Sequence, residues 1–369
     1  MIALQVASDL DAALASWAVL CVVGVVVGTA GSALIRRSSN SIGKYRLLYR
    51  GVVFPYGLVA YGLLRLLGFG VAVQTSLVPG IGGIAATAVA VFTTTLAAGV
   101  AVLAMYAPTV RGVRAVREIE LTTPAAVARM ARWGFGVCVF LSATLVALNR
   151  FNGVSGMLAI IVGIGVVVPA ASPWLIVVLR STRPLAADEA ERLARLRDRA
   201  GLSVRDTCVL ETGDADTATA QVRGPPGYRR LFVSDAFLDR FDSETATALL
   251  AVEAGQVRTH VLARRVGGLL GAGILAVIGY GVSSLIPATI AAFSVLLIGL
   301  WFTRRGVRAA DDYADERVGT DAVVTAFEQY AAIHGMESSR NRFPNPLSTT
   351  VALGDRIDRL DETQSSPTD

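Results

Sequence analysis

Long apolar stretches constrain this chain more than any other feature. About 20 consecutive apolar residues in an α-helix cross a bilayer core of about 30 Å. Residues 13–34, 51–73, 82–106 and 154–179 meet that length. Residues 135–148 approach it and must borrow from the arginine-bearing segment before them. Two further stretches, 266–283 and 285–302, are joined by almost nothing, with Pro287 marking a tight hairpin. The expectation is therefore a protein of about seven membrane spans. The first stretch reads as a signal anchor or a plain span rather than a cleaved leader, because Asp9 and Asp11 precede it and Arg36 and Arg37 follow, the reverse of a leader's positive start.

Composition agrees. Hydrophobic residues make up 53% of the 369 and charged residues only 17%, against about a quarter charged in soluble domains. The 34 basic and 29 acidic residues leave a net charge of +5. The arginines flank apolar segments rather than forming a basic domain, which favours contact with membrane lipids over nucleic acid. Arg36, Arg37, Lys44, Arg46 and Arg50 share one loop, and Arg111, Arg114, Arg117, Arg129 and Arg132 share another. Loops of the opposite parity are almost uncharged. The positive-inside rule then places the N-terminus outside the cell membrane and the polar domain and C-terminus in the cytoplasm. Arg65 interrupts the second span, as a functional intramembrane charge or as a side chain that reaches the interface.

Cys21, Cys138 and Cys208 are far apart and form no CxxC pair, so neither a disulfide framework nor a thiolate metal site is expected. Histidine is scarcer: only His260 and His334 are present. Gly24, Gly28 and Gly31 suit close helix packing, which leaves open a transporter or receptor built on the leading spans. No inverted repeat or cluster of intramembrane acids supports that alternative.

The polar remainder divides into several elements. Residues 187–200 read as a charged helix stopped by Gly201. Residues 207–210 and 230–233 read as short strands, with Gly224-Pro225-Pro226-Gly227 as a turn. Asp242 or Ser243 caps a helix over 243–263, and 304–330 reads as another helix. The expected organisation is a five-span region (1–180), a polar part (181–265), a two-span hairpin (266–303), a second polar part (304–362) and a disordered tail (363–369). The fold class is mainly α: a polytopic helical membrane protein with a small α+β cytoplasmic domain.

Several segments of that polar domain carry a resemblance. Leu231-Phe232-Val233-Ser234-Asp235-Ala236-Phe237-Leu238-Asp239-Arg240-Phe241 precedes the capped helix. Leu249-Leu250-Ala251-Val252-Glu253-Ala254-Gly255-Gln256-Val257-Arg258 lies within it. Asp311-Asp312-Tyr313-Ala314-Asp315 and Arg356-Ile357-Asp358-Arg359-Leu360 follow the hairpin. Together these resemble the HtpX-like membrane zinc metallopeptidases, which include the CAAX prenyl protease relatives, over roughly residues 185–360. The resemblance implies a metallopeptidase-like domain, an HExxH helix, a general-base glutamate and protein quality control as the process. It also implies extended substrate lying along an edge strand, here near residues 217–222.

This chain departs from the motif where zinc would bind. Two histidines one helical turn apart hold zinc in HExxH. Here those positions are Val252, which has no lone pair, and Gln256, whose amide is a poor ligand. The third ligand position falls on Asp311, and only Glu253, the general base, is retained. Without zinc no strong nucleophile forms from water near neutral pH. The expectation is a pseudoenzyme with no metal cofactor that binds or regulates membrane proteins or peptide segments. The alternative is an active metalloendopeptidase using zinc with altered ligands. Glu253, Gln256 and His260 share one helical face, so with Asp311 or Asp315 they can form a weaker polar cluster. The plainer reading leaves His260 at the helix end against solvent or headgroups. Glu253 is then a buried carboxylate paired with Arg258 or another arginine.

Overall fold

The computed structural model describes residues 2–36, 48–117, 122–151, 153–211, 218–282, 284–334 and 351–365. Lys44 and Arg46, used above to orient the chain, lie outside them, as does residue 217 of the expected edge strand. The chain divides into two compact units, Met1–Asn152 and Gly153–Asp369. Composition placed the boundary near 180, but the fifth span belongs with the second unit, because it packs on the later hairpin.

In the first unit, α1 (Ile2–Arg36) packs along α4 (Gly83–Arg117). Small residues allow this approach: a Cβ on Gly28 would overlap the Met105 backbone carbonyl. Trp17 Nε1 donates to the Ala97 carbonyl at 3.0 Å, and the Tyr56 hydroxyl donates to that of Leu20. The expected second span is bent. α2 (Phe54–Leu66) and α3 (Phe69–Leu77) meet at 60°. Gly68 turns the chain there with φ 71°, a left-handed conformation that glycine adopts without steric cost. Arg65 sits exposed in the last turn before the bend. α5 (Thr123–Arg150) includes Arg129 and Arg132, the residues the fourth span had to borrow.

In the second unit, α6 (Val154–Leu179) packs against α10 (Val261–Gly281), which pairs with α11 (Leu285–Val318). The hairpin closes tightly: a Cβ on Gly268 would meet Gly299 Cα at 2.8 Å. α11 does not end at Phe302 but continues to Val318, carrying Asp311 out of the apolar segment and under the polar domain. Among the described residues six helices are long and apolar enough to cross a membrane, and the bent α2–α3 pair is a further candidate.

The polar domain is built on a four-stranded sheet of order β1-β2-β4-β3: β1 (Thr182–Arg183), β2 (Asp206–Leu210), β3 (Ala220–Arg223) and β4 (Arg230–Ser234). β2 and β4 are parallel, whereas the β1–β2 and β3–β4 pairs are antiparallel. Among the described residues β3 therefore has a strand partner on one side only. α7 (Ala187–Ala200) ends where Gly201 takes φ 68°. The helices α8 (Asp235–Arg240), α9 (Ser243–Arg258), α12 (Thr320–Ile333) and α13 (Leu353–Ser365) complete the domain. Leu193, Val209, Leu231, Val233, Phe237 and Leu250 form its fully covered centre.

α9 is capped as expected, with Asp242 Oδ1 accepting from the Thr245 amide at 2.7 Å. It stops at Arg258 rather than reaching residue 263. His260 adopts φ 53°, which no continuing right-handed helix permits, and Val261 begins α10. The Thr259 hydroxyl lies 2.9 Å from the carbonyls of both Gly255 and Gly306, tying the break to α11.

Candidate functional site

Three elements meet at Glu253: the middle of α9, the edge strand β3 and the helix pair α12–α13. α9 buries nearly all of one side. Val252 is 5% exposed, and Ala251 and Ala254 are equally covered. A Cβ on Gly255 would overlap the Ala310 backbone, so the glycine sets the close approach of α9 to α11.

The Glu253 carboxylate accepts from the Val222 amide of β3 at 3.2 Å and from Gln256 Nε2 at 3.2 Å. Part of the side chain meets cavity space, but the surrounding protein is dense. Loss of solvation pushes its carboxyl above the ordinary glutamate value; the Val222 hydrogen bond and the charges of Arg223 and Arg356 oppose this without cancelling it. Of the expected partners, Arg258 or another arginine, Arg258 is turned away over the Tyr313 ring at 5.5 Å, and Arg223 and Arg356 are the arginines whose charge reaches Glu253.

Asp311 is fully covered and held by two arginines. Arg356 Nε donates to its Oδ2 at 2.9 Å, and a terminal nitrogen of the same guanidinium donates to Oδ1. Arg359 approaches Oδ2 at 3.7 Å and pairs with Asp312 at 2.6 Å. Arg356 also stacks on Phe327, 4.2 Å from the ring centroid. A cavity of about 200 Å³ is lined by Val252, Glu253, Gln256, Tyr330 and Arg356 among others. Arg356 thus faces the α9 positions from one side and grips Asp311 on the other. Tyr330 is pushed above the usual phenol range by burial and by Glu253.

A second cavity, of about 450 Å³, adjoins the same stretch of α9. Glu253, Gln256 and His260 line it, so the three residues expected on one helical face do share a space. Asp315 does not join them; it accepts a hydrogen bond from the Thr320 hydroxyl at the α11–α12 junction. His260 is exposed. His334 ends α12, its Nδ1 2.8 Å from the Tyr330 carbonyl.

Among the described residues, no group of three or more His, Cys, Asp or Glu side chains converges as a metal-holding set. The chemistry of the donors accounts for this: Val252 offers no lone pair, and both Asp311 oxygens already face guanidinium nitrogens. These residues do not fit the zinc centre of an HExxH site.

Neither protein-family profiles nor curated protein sequences match this sequence. The crystal structure of Ste24p from S. mikatae superposes with a TM-score of 0.61, covering 94% of this chain and 97% of that one. The fold is that of Ste24p. At 14% identity the likeness establishes the architecture, a polytopic helical membrane fold with a small sheet, and not the chemistry. Of the residues that build the site, sequence reasoning missed the roles of Arg356, Arg223 and Tyr330. Arg356 stood within the matched Arg356–Leu360 segment, but nothing local to it named Asp311 as its partner.

Proposed function

We propose that this protein is a membrane-embedded homologue of the CAAX prenyl protease type that binds extended segments of membrane proteins without hydrolysing them. The observation that carries this reading is the pairing of Arg356 with Asp311. A fixed guanidinium supplies the positive charge that a metal ion supplies in an HExxH centre, and it uses the carboxylate oxygens that a metal would need. Glu253 is then a binding and structural group rather than a general base, since Val252, Gln256 and the arginine-paired Asp311 offer no zinc centre to activate a water beside it.

The recognition element is β3. It is an edge strand, and its Val222 amide already reaches Glu253 beneath it. An added peptide strand gains affinity from main-chain hydrogen bonds and selectivity from the flanking cavities. The orientation follows the arginine distribution, with the N-terminus outside and this domain in the cytoplasm.

The test uses full-length protein in nanodiscs, with a photoreactive residue replacing Gln221 and an unfolded membrane-protein segment as probe. Cross-linking without cleavage, unaffected by chelators and with no stoichiometric metal, is the expected result. Chelator-sensitive cleavage abolished by Glu253→Ala overturns the reading.

A further inference from the structure

The cavity of about 450 Å³ beside α9 has two chemically different ends. At one end stand Arg223 at the close of β3, Arg229 after the Gly224–Gly227 turn, and His260 at the α9–α10 break. At the other, Val166, Pro169 and Ala170 of α6 face Leu262, Val266 and Leu270 of α10. Both of these helices are long and apolar enough to cross a membrane. The apolar end is thus a crevice between two spans, and the polar end lies where the chain leaves them for the sheet.

The cationic end is under-compensated. Arg223 has a hydrogen bond to Gln221 Oε1 at 3.1 Å, and Arg265 lies within its electrostatic reach, adding like charge. Among the described residues the side chains of Arg229 and His260 have no hydrogen-bond or ion-pair partner. Glu253, within electrostatic reach of Arg223, is the one carboxylate among the described residues that line the cavity, against the two arginines. A cavity of this size lies within the range of about 300–1,000 Å³ usual for small-molecule sites. A crevice between spans with a cationic rim matches an amphiphile that carries a negative head on an alkyl chain.

We infer that this cavity binds a single acyl chain of an anionic bilayer phospholipid between α6 and α10, with its phosphate held by Arg223, Arg229 and His260. The chain displaces no polar group from the crevice, and the phosphate takes Arg229 and Arg223 as charge-assisted donors. The second acyl chain remains in the surrounding bilayer. This site goes beyond the peptide-binding reading, because it requires neither β3 pairing nor an inactive centre.

The experiment places full-length protein in nanodiscs of phosphatidylcholine containing a trace of phosphatidylglycerol or phosphatidylcholine with a diazirine at the acyl terminus. Light-induced adducts are mapped by mass spectrometry, with chelator present so that any proteolysis does not interfere. The expected result is phosphatidylglycerol label concentrated on residues 162–170 and 262–270. Arg223→Gln and Arg229→Gln should each lower that label about fivefold. Ala170→Trp, which fills the crevice and leaves the rim intact, should also remove it. Equal labelling by the two lipids, label that ignores both arginine substitutions, or occupation of the site by an acidic peptide in place of lipid overturns the inference. Chelator-sensitive cleavage in a parallel sample without chelator bears on the proposed function alone.

Discussion

Arg356 clamps Asp311 through two nitrogens of one guanidinium, in a place where the aspartate has no contact with solvent. A buried pair of this kind is costly to break from one side, because the survivor is left as an uncompensated charge. Arg356→Met is expected to destabilise the protein by about 3–5 kcal/mol, and the double variant Arg356→Met/Asp311→Leu to recover most of that loss. Thermal unfolding of each variant in the same detergent checks the pattern. A double variant no more stable than Arg356→Met would mean that the pair is not the relevant contact.

Much of this architecture was legible in the residues. Gly201 and Asp242 announced two helix boundaries that the structure keeps. The strands expected at 207–210 and 230–233 were each right to one residue, because apolar runs were framed by turn residues, whereas the edge strand expected near 217–222 spans Ala220–Arg223 and the two-residue β1 was not anticipated. Three features were not legible, for different reasons. The bend at Gly68 lies inside an unbroken apolar run, where hydropathy is blind to backbone conformation. The stop at His260 is imposed by tertiary packing, since the Thr259 hydroxyl reaches the Gly306 carbonyl 47 residues away. The partner of Asp311 is 45 residues distant, and no local pattern encodes that pairing. Absence of the two motif histidines was readable at once; the guanidinium that faces their positions was not.

Glu253 supplies a pH test with a definite sign. Its carboxyl titrates above the ordinary glutamate value, mainly because it is desolvated. The folded protein therefore keeps this proton to higher pH than the unfolded chain does. The associated stability is complete below the unfolded value and is lost as pH rises through the folded one. Glu253→Gln cannot lose a proton. The melting temperature of this variant relative to the parent should rise from pH 4 towards neutrality, with other groups cancelling in the difference. A difference that falls with pH would place a compensating cation on the carboxylate instead.

Gly255 tests the packing of α9 on α11. An added Cβ meets the Ala310 backbone, with its Cα at 2.8 Å, and backbone cannot rotate aside. Gly255→Ala should cost about 1–3 kcal/mol by overpacking. Gly267→Ala on α10 is the control, because nothing lies within 4 Å of its added methyl. It should be neutral or mildly stabilising, since alanine is favoured over glycine in helices by about 1 kcal/mol. Equal losses at both positions would show general glycine sensitivity rather than a specific contact.

Placing histidines at both motif positions tests whether the ligand positions or the guanidinium governs the site. Val252→His/Gln256→His places two imidazoles one helical turn apart. A third ligand is still needed for a stable zinc centre. Asp311, the carboxylate expected at the third position, remains tied to Arg356 and Arg359. Zinc held by the purified double variant should therefore fall well below one equivalent by elemental analysis. Adding Arg356→Met frees Asp311 Oδ1 and Oδ2 from their strongest donor, and the bound ion would neutralise the carboxylate that the substitution exposes. The triple variant should accordingly bind close to one zinc per chain and melt higher with zinc than with chelator. Full occupancy in the double variant would show that Arg356 yields readily, and that the two imidazoles alone suffice to complete the site.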